Sequence, residues 1–267
     1  MIKKLVLALF SMIALLVVLS PLTTSVSSEQ NESYTVIDRK SGTVIVGKNG
    51  NTPRSIASLT KILTAITIIE NENLSKICEV SIKSENIEGS KVYLKQGESY
   101  SVIDLLYGLM LRSGNDCAQT LAENFTGGYD ILIEKMNEFA VSCGAVNSSF
   151  KNPHGLEEKG HYSTSNDVAI ISARAMANPV YRKIVSAKSY TAKEISTGRE
   201  LHFINKNKML FRNESCIGGK TGFTKKSGRC LQTAFEQDES EIICVVLGYG
   251  DTYGLTQRLF EKAFNKN

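Results

Sequence analysis

The sequence predicts an α/β (α+β) fold in which one antiparallel β-sheet, flanked by helices, is joined to a mostly helical lobe at about residues 75–185. Three observations support this prediction. Strand patterns lie near both ends of the chain, helical periodicity fills the middle, and neither a fixed-period repeat nor a strand–helix alternation occurs. We expect a functional site in the cleft between the sheet and the helical lobe.

The first half of the chain predicts one hairpin followed by helices. Residues 34–38 and 43–46 are rich in β-branched side chains and flank a short turn, which is the pattern of two paired strands. From Ser58 to Ile69 apolar residues recur every three or four positions with almost no charge, so this helix is predicted to be buried. Further helices are predicted over residues 101–112, 116–125, 129–142 and 165–177.

The second half returns to strands and ends in a helix. Strands are predicted over residues 189–192, 216–221, 229–235 and 241–247, and a helix over 255–264. The turns at 223–228 and 236–240 are short, so these last strands are expected to pair antiparallel. The early hairpin must cover its edges, and we expect it to join the same sheet.

Residues 1–27 have the pattern of a signal peptide or an N-terminal membrane anchor. Lys3 and Lys4 precede an apolar run that ends at Leu19, and small residues suited to cleavage follow Pro21. This run is shorter than the roughly 20 residues that a membrane-spanning helix needs. The sequence therefore predicts export and a single domain over residues 28–267, and it leaves cleavage of the segment open.

Composition excludes several functional classes. A chain with 42% hydrophobic and 22% charged residues is not a disordered tail, a fibre or a multi-pass membrane protein. The net charge of +4 forms no basic stripe and the chain has no Trp, so nucleic-acid binding is not expected. The six cysteines are widely spaced and several lie in apolar runs, which favours buried free thiols over disulfides without deciding between them.

Three short strings are candidates for the chemistry. They are Ser58-Leu-Thr-Lys61 at the start of the buried helix, Ser113-Gly-Asn115 between two helices, and Lys220-Thr-Gly222 at the end of a strand. The first two patterns also occur at residues 148–151 and 84–86, so each is weak by itself. If they form no site, the strings are a helix cap, a loop turn and a strand-ending turn. Their occurrence together favours a catalytic site.

The Ser58 hydroxyl becomes a nucleophile only when a base removes its proton. Lys61 lies one helical turn away on the same face and can be that base. Its pKa must first fall from about 10.4, which burial and a second cation would achieve. We expect Lys220 to be that cation.

The remaining motif residues are expected to act on the substrate. Ser113 is placed to relay a proton to a departing amine, and Asn115 to hold a substrate amide. The backbone N–H groups of Ser58 and of Phe223, which follows Gly222, are expected to stabilise an oxyanion.

In order and spacing, these motifs resemble the penicillin-recognising serine D-alanyl-D-alanine carboxypeptidases, the S11 peptidases among the low-molecular-weight penicillin-binding proteins. The resemblance runs from about Tyr34 to the end of the chain. It is supported by the strings Ala57-Ser-Leu-Thr-Lys61, Ser113-Gly-Asn-Asp-Cys-Ala118, Asn152-Pro-His-Gly-Leu156, His161-Tyr-Ser-Thr164 and Gly219-Lys-Thr-Gly-Phe-Thr224.

The resemblance implies a β-lactamase/DD-peptidase-like fold and an enzyme without cofactor or metal. The implied substrates are peptidoglycan stem peptides: Ser58 would attack the penultimate carbonyl, release D-alanine and pass the acyl group to water, with Lys61 as base in both steps. β-Lactam antibiotics would acylate the same serine as covalent inhibitors. The implied location is outside the cytoplasm, at the cell wall or the outer face of the membrane.

Two departures from the family pattern stand out. Many relatives continue into a β-rich domain and a C-terminal amphipathic helix, so membrane contact is expected here only through the N-terminal segment. Relatives also place an arginine near the last strand to bind the substrate carboxylate. Residues 247–251 contain none, and Arg258 lies further on. Thr221 and Thr224 with Lys220 are the alternative ligands, so the expected substrate-binding set is Thr221, Gly222, Phe223 and Thr224.

Three other functions can be compared with this one. A serine β-lactamase shares the motifs, but no Glu-x-x-x-Asn lies between Ser113 and Lys220 to activate a deacylating water. A zinc peptidase is not expected, because His154, His161 and His202 do not form a ligand pattern. A penicillin- or peptidoglycan-binding protein with weak or no peptidase activity is the third, and the choice between hydrolysis and transpeptidation also stays open.

Overall fold

The computed structural model describes residues 32–264. The predicted signal peptide or anchor, residues 1–27, lies outside the described residues. Within the described range, no helix combines the length and the apolar character needed to cross a bilayer.

The described chain contains strands and helices in the order that the sequence predicts, with additional short elements. The strands are β1 (Ser33–Asp38), β2 (Val44–Lys48), β3 (Ile77–Glu79), β4 (Ser99–Ser101), β5 (Ser189–Lys193), β6 (Glu200–Ile204), β7 (Cys216–Thr224), β8 (Gly228–Gln237) and β9 (Ser240–Leu247). The helices are α1 (Thr60–Asn71), α2 (Ile82–Asn86), α3 (Val102–Tyr107), α4 (Asn115–Glu123), α5 (Tyr129–Ser142), α6 (Ser165–Met176), α7 (Pro179–Ser186), α8 (Met209–Arg212) and α9 (Thr252–Phe264).

One five-stranded antiparallel sheet, in the order β2-β1-β9-β8-β7, organises the fold. Its first hairpin joins the last three strands, so the predicted α/β class with one antiparallel sheet is confirmed. Two small hairpins, β3–β4 and β5–β6, lie outside the sheet. Strand β7 forms one edge, and its outer side carries the candidate site.

Helices cover both faces of the sheet, so its central strand β9 is buried on both sides. Side chains alternate along a strand, so odd- and even-numbered residues face opposite layers. One layer contains α1 and α6, and the other contains α9. The β9 residues facing these two layers are Ile243, Val245 and Leu247 on one side and Ile242, Cys244 and Val246 on the other.

Helix α1 is the buried helix that the sequence predicts, with one correction at its start. Every residue from Thr60 to Ile68 is buried. Ser58, however, lies in a 3₁₀ turn over Ala57–Leu59, and α1 begins at Thr60. The positive φ of Ala57, 48°, is incompatible with a right-handed helix and explains the later start.

Several short elements were not predicted. They are β3, β4, β6, α2, α7 and α8, all of which have eight residues or fewer. No helix was predicted over residues 179–186, where Asn178 caps α7 and Pro179 opens it. Strand β7 also extends to Thr224, so the predicted 223–228 turn shrinks to residues 225–227.

The six cysteines are free thiols, which is the alternative that the sequence favours without deciding it. Five of them are buried and Cys143 is partly buried. Burial raises the pKa of Cys244 to about 12, so this thiol stays protonated at neutral pH.

Candidate active site

A cleft of about 520 Å³ runs along the outer edge of β7. The three motifs meet there: Ser58, Ser113 and the Lys220-Thr-Gly222 segment are separated widely in sequence and adjacent in space. None of the described residues that line the cleft is acidic. The lining consists of Ser58, Ser90, Ser113, Lys206, Lys208, Thr221, Gly222, Phe223, Arg229, Cys230, Leu231, Thr252 and Tyr253.

Backbone contacts on two sides hold the turn that carries Ser58. A Cβ on Gly222 would lie 3.2 Å from both Ile56 O and Ser58 N, so β7 passes very close to this turn. A Cβ on Gly155 would collide with the carbonyl oxygen of Ala57. Glycine at these two positions therefore lets β7 and the 152–156 loop approach the strained backbone beside Ser58.

Three short contacts hold the Lys61 amine in place. Its Nζ lies 2.7 Å from Asn115 Oδ1, 2.6 Å from His154 O and 3.0 Å from Ser58 Oγ. The first two partners can only accept a hydrogen bond, so each takes an N–H group of the amine. The ammonium form donates its third N–H to Ser58 Oγ, whereas the neutral form presents a lone pair that can take the Ser58 hydroxyl proton, which is the arrangement of a base and its nucleophile.

Electrostatics favour the neutral amine. Burial, helped by the positive charge of Lys206, lowers the pKa of Lys61 to about 7, although Cys117 and Asp116 oppose the shift. Lys61 is completely buried, so its ammonium form loses hydration that a few hydrogen bonds do not replace. A substantial fraction of Lys61 is therefore neutral at physiological pH.

Lys220 is held by two hydrogen bonds beside Ser113. Its Nζ donates to Ser113 Oγ at 2.9 Å and to Thr221 O at 2.7 Å. Burial lowers its own pKa well below the usual range, and the charges of Lys61 and Lys206 add to this. The two buried amines therefore repel each other when charged, and the role of Lys220 as the cation that acts on Lys61 stays a prediction.

Ser113 and Asn115 lie on either side of a helix junction. Ser113 ends a π-helical turn over Gly108–Arg112 with a left-handed conformation, φ 64°, that aims its side chain at the cleft. Asn115 begins α4; its Oδ1 accepts from Lys61 and its Nδ2 donates to Glu88 O at 2.6 Å. Both ends of this amide are engaged, so Asn115 orients Lys61, and the second N–H group of its Nδ2 keeps the predicted contact with a substrate amide open.

The sheet register directs the Phe223 backbone into the cleft. Phe223 is paired with Arg229, whose carbonyl accepts the Gly248 N–H on the opposite side of β8. Backbone groups of one strand residue point to the same side, so this pair is not hydrogen-bonded across β7 and β8. The Phe223 N–H therefore points off the sheet edge, beside the Ser58 turn that Gly222 contacts.

The expected substrate-binding residues divide into two groups. Thr221, Gly222 and Phe223 line the cleft. Thr224 does not line it, and its hydroxyl bonds to Ser227 at 3.0 Å. Its role as a carboxylate ligand stays a prediction. Arg258 is an exposed residue of α9 and does not line the cleft.

Both histidines of the supporting strings stabilise loops near Ser58. His154 accepts the Leu156 N–H at 3.2 Å on Nδ1, and burial lowers its pKa to about 3. His161 contacts the Thr60 hydroxyl at 2.9 Å, and burial lowers its pKa to about 4. Both imidazoles are neutral at physiological pH. The described residues contain no cluster of three or more His, Cys, Asp or Glu side chains suited to a metal ion.

Sequence reasoning missed Asp116, which shapes the wall of the cleft. This carboxylate is completely buried and accepts the backbone N–H groups of Val92, Tyr93 and Leu94 at 2.8–3.2 Å. Burial raises its pKa, and these backbone hydrogen bonds act in the opposite direction. The adjoining Ser90 lines the cleft. Asp116 directly follows Asn115 of the second motif, which is a local signal that it belongs to the site. Its backbone partners, however, lie in a loop more than 20 residues earlier in the chain.

Sequence reasoning also missed the cations of the cleft, Lys206, Lys208 and Arg229. Arg229 was recognisable in principle, because a three-residue turn over residues 225–227 places it opposite Phe223. Lys206 and Lys208 lie in the connection after β6, a strand that the sequence did not predict.

Comparisons with known proteins agree with the site. The family model described as D-alanyl-D-alanine carboxypeptidase matches residues 21–250. The chain is 32% identical over 230 residues to D-alanyl-D-alanine carboxypeptidase DacF of Bacillus subtilis, covering 84% of this chain and 59% of that protein. It is 32% identical over 228 residues to DacB2 of Mycobacterium tuberculosis, covering 85% and 76%. The chain thus spans less than two thirds of the Bacillus relative.

Solved structures give the same result. A putative penicillin-binding protein homologue from Mycobacterium tuberculosis superposes with a TM-score of 0.83 at 31% identity, covering 88% of this chain and 91% of that one. The Streptomyces K15 DD-transpeptidase superposes with a TM-score of 0.82 at 30% identity, covering 86% and 95%. On its family match, its fold and the meeting of its three motifs, this chain belongs to the D-alanyl-D-alanine carboxypeptidase family of S11 peptidases.

Proposed function

We propose that this chain is a serine D-Ala-D-Ala carboxypeptidase, which removes the terminal D-alanine of peptidoglycan stem peptides through an acyl-enzyme on Ser58. The observation that carries the proposal is the hydrogen-bond set of Lys61. Two acceptors occupy two of its N–H groups, so the neutral amine directs its lone pair at the Ser58 hydroxyl, 3.0 Å away. A hydroxyl held against a buried neutral amine is an activated nucleophile.

Acylation begins when the Ser58 proton passes to Lys61 Nζ and Ser58 Oγ bonds to the penultimate carbonyl carbon. The carbonyl oxygen becomes an oxyanion between the N–H groups of Ser58 and Phe223. A preorganised donor of this kind lowers the barrier by about 3 kcal/mol. The two N–H groups come from elements that Gly222 brings into contact.

The tetrahedral intermediate then loses D-alanine. The peptide C–N bond breaks, and its electron pair takes up a proton as the amine departs. That proton is the one held by Lys61, relayed by the Ser113 hydroxyl, which accepts one proton as it releases another. Lys220, 2.9 Å from Ser113 Oγ, keeps the hydroxyl oriented toward the cleft.

Deacylation repeats the sequence with water. Lys61 takes a proton from water as the oxygen adds to the acyl carbonyl, and the proton then returns to Ser58 Oγ as the ester bond breaks. The products are the shortened peptide, with a new carboxylate, and the free serine.

Penicillin is expected to acylate Ser58 and to remain bound. No carboxylate is found among the described residues that line the cleft, so no glutamate is positioned to activate a water for a β-lactamase. This favours a carboxypeptidase over the β-lactamase alternative.

The proposed substrate lies outside the cytoplasmic membrane, so the enzyme is expected to act there. Residues 1–27 would direct export and provide the contact with the membrane. Comparing the N-terminal sequence of the protein recovered from cells with that of the full chain distinguishes a cleaved signal peptide from a retained anchor.

D-Alanine release from an acyl-D-Ala-D-Ala peptide by the wild type and by Ser58→Ala tests the proposal. We expect release by the wild type only, with penicillin bound stoichiometrically and not consumed. Rapid consumption of penicillin would instead indicate a β-lactamase. Binding of penicillin or peptidoglycan without D-alanine release would indicate a binding protein.

A further inference from the structure

Three cationic side chains of the cleft take no part in the proton transfers described above. Lys206, Lys208 and Arg229 line the cleft, and among residues 32–264 none of them forms a salt bridge. The described lining offers them no acidic partner. Unpaired cations in a cleft without carboxylates attract and bind an anionic group of the substrate.

We infer that Arg229 binds the terminal carboxylate of the substrate, with the Thr221 hydroxyl as a second donor. The inference rests on the proposed function, because a carboxypeptidase substrate presents a free carboxylate next to the scissile bond. It assigns a specificity-determining residue to β8, on the opposite side of the Lys225–Lys226–Ser227 turn from the Lys-Thr-Gly motif.

The register of the β7–β8 hairpin places Arg229 on the same face as Thr221 and Phe223. Arg229 faces Phe223 directly, and the pair is not hydrogen-bonded, since Arg229 O accepts from Gly248 N. Residues in such a pair are close, about 4.5 Å between Cα atoms, and their side chains share one face. Thr221 follows on that face two residues away, a diagonal distance that a long side chain spans.

The distance between the reacting carbon and the carboxylate matches this placement. The oxyanion site at Phe223 N–H holds the scissile carbonyl at the edge of β7. Only three bonds of about 1.3–1.5 Å each separate that carbonyl carbon from the carboxylate carbon of the terminal residue. The carboxylate therefore lies within reach of the face of the hairpin that carries Thr221 and Arg229.

The other two cations fit the role less well. Lys206 is near enough to the buried amines to lower the pKa of both Lys61 and Lys220, which places it on the side of the base. Lys208 offers one ammonium group, whereas the guanidinium of Arg229 presents a planar pair of donors that matches a carboxylate. The loop of residues 247–251 contributes no cation.

The test compares acyl-D-Ala-D-Ala with its C-terminal amide, using kcat/KM for release of D-alanine or D-alanine amide. We expect the wild type to prefer the acid by roughly 10- to 100-fold, as for a hydrogen bond to a charged group. Arg229→Gln should lose most of this preference through a fall in kcat/KM for the acid alone. Arg229→Lys, which keeps the charge without the fork, should retain an intermediate preference.

Lys226→Gln is the matched control, because it removes the same charge from the same hairpin at a residue outside the cleft lining. It should keep the wild-type preference. The inference would be overturned if Arg229→Gln kept the wild-type preference for the acid. It would also be overturned if Lys208→Gln lost this preference and Arg229→Gln did not. Either result would leave the proposed function intact. A wild type that releases neither product would contradict both.

Discussion

Replacing Thr60 tests how the strained backbone beside Ser58 is held. His161 Nδ1 accepts the Lys151 N–H at 3.2 Å, so its Nε2 carries the proton and donates to Thr60 Oγ1 at 2.9 Å. Thr60 in turn donates to Ala57 O at 2.9 Å. The left-handed conformation of Ala57 costs about 1–2 kcal/mol for a residue with a side chain, so it persists only while neighbours hold it.

Thr60→Val removes this hydroxyl at nearly constant volume. Ala57 O and His161 Nε2 each lose a buried partner, at about 1–3 kcal/mol for each group. We expect a lower free energy of unfolding in urea. If roughly 1.4 kcal/mol of this loss goes into displacing the Ser58 turn, the activation free energy of acylation rises by the same amount. The rate constant of acylation by fluorescent penicillin then falls about tenfold.

Thr64 provides the matched control for this prediction. Its buried hydroxyl donates to Pro153 O at 2.7 Å, one helical turn further along α1, and does not contact Ala57. Thr64→Val should therefore lose comparable stability with little change in acylation, and Thr60→Ser should acylate nearly as fast as the wild type. Equal loss of acylation in Thr60→Val and Thr64→Val would refute the positioning role and point to general destabilisation.

Three further predictions concern protonation, packing and redox state. Burial lowers the pKa of Lys61 to about 7, so the acylation rate should rise with pH through that value as the amine becomes neutral. One such titration spans roughly pH 5.5 to 8.5, and a flat profile over this range would contradict the account. Asp116→Ala should lower the free energy of unfolding by about 3 kcal/mol or more, because it leaves several backbone N–H groups unpaired. Asp130 is exposed, so Asp130→Ala should change this free energy little in the same urea titration. Alkylation followed by mass spectrometry should modify all six cysteines after denaturation without reductant, and a protected pair would disprove the free-thiol assignment.

The sheet and the catalytic motifs were predictable because both depend on local pattern. Side-chain alternation in β8 and β9 and the uncharged periodicity of α1 are direct consequences of burial. The spacing of Ser58 and Lys61 encodes their contact, since one helical turn joins them. The short elements such as β3 and α8 were missed because three or four residues carry too little periodicity.

The rest of the site depends on contacts between distant parts of the chain. Ser113 and Lys220 are 107 residues apart, and Thr60 and His161 are 101 residues apart, so no local pattern indicates that either pair touches. The position of Thr224 outside the cleft lining has a related cause. Adjacent strand residues face opposite sides, and only the observed register shows which of them reach the cleft.

The direct test of the central claim, that Ser58 is the nucleophile of the site, is to locate the adduct formed with penicillin. Trypsin cleaves after Arg54 and Lys61, so the peptide of residues 55–61 contains the candidate nucleophile together with Ser55 and Thr60. Fragmentation of this peptide should place the penicilloyl group on Ser58 in the wild type, and Ser58→Ala should carry no adduct. An adduct on Ser113 or on any other residue, or one that persists in Ser58→Ala, would contradict the account.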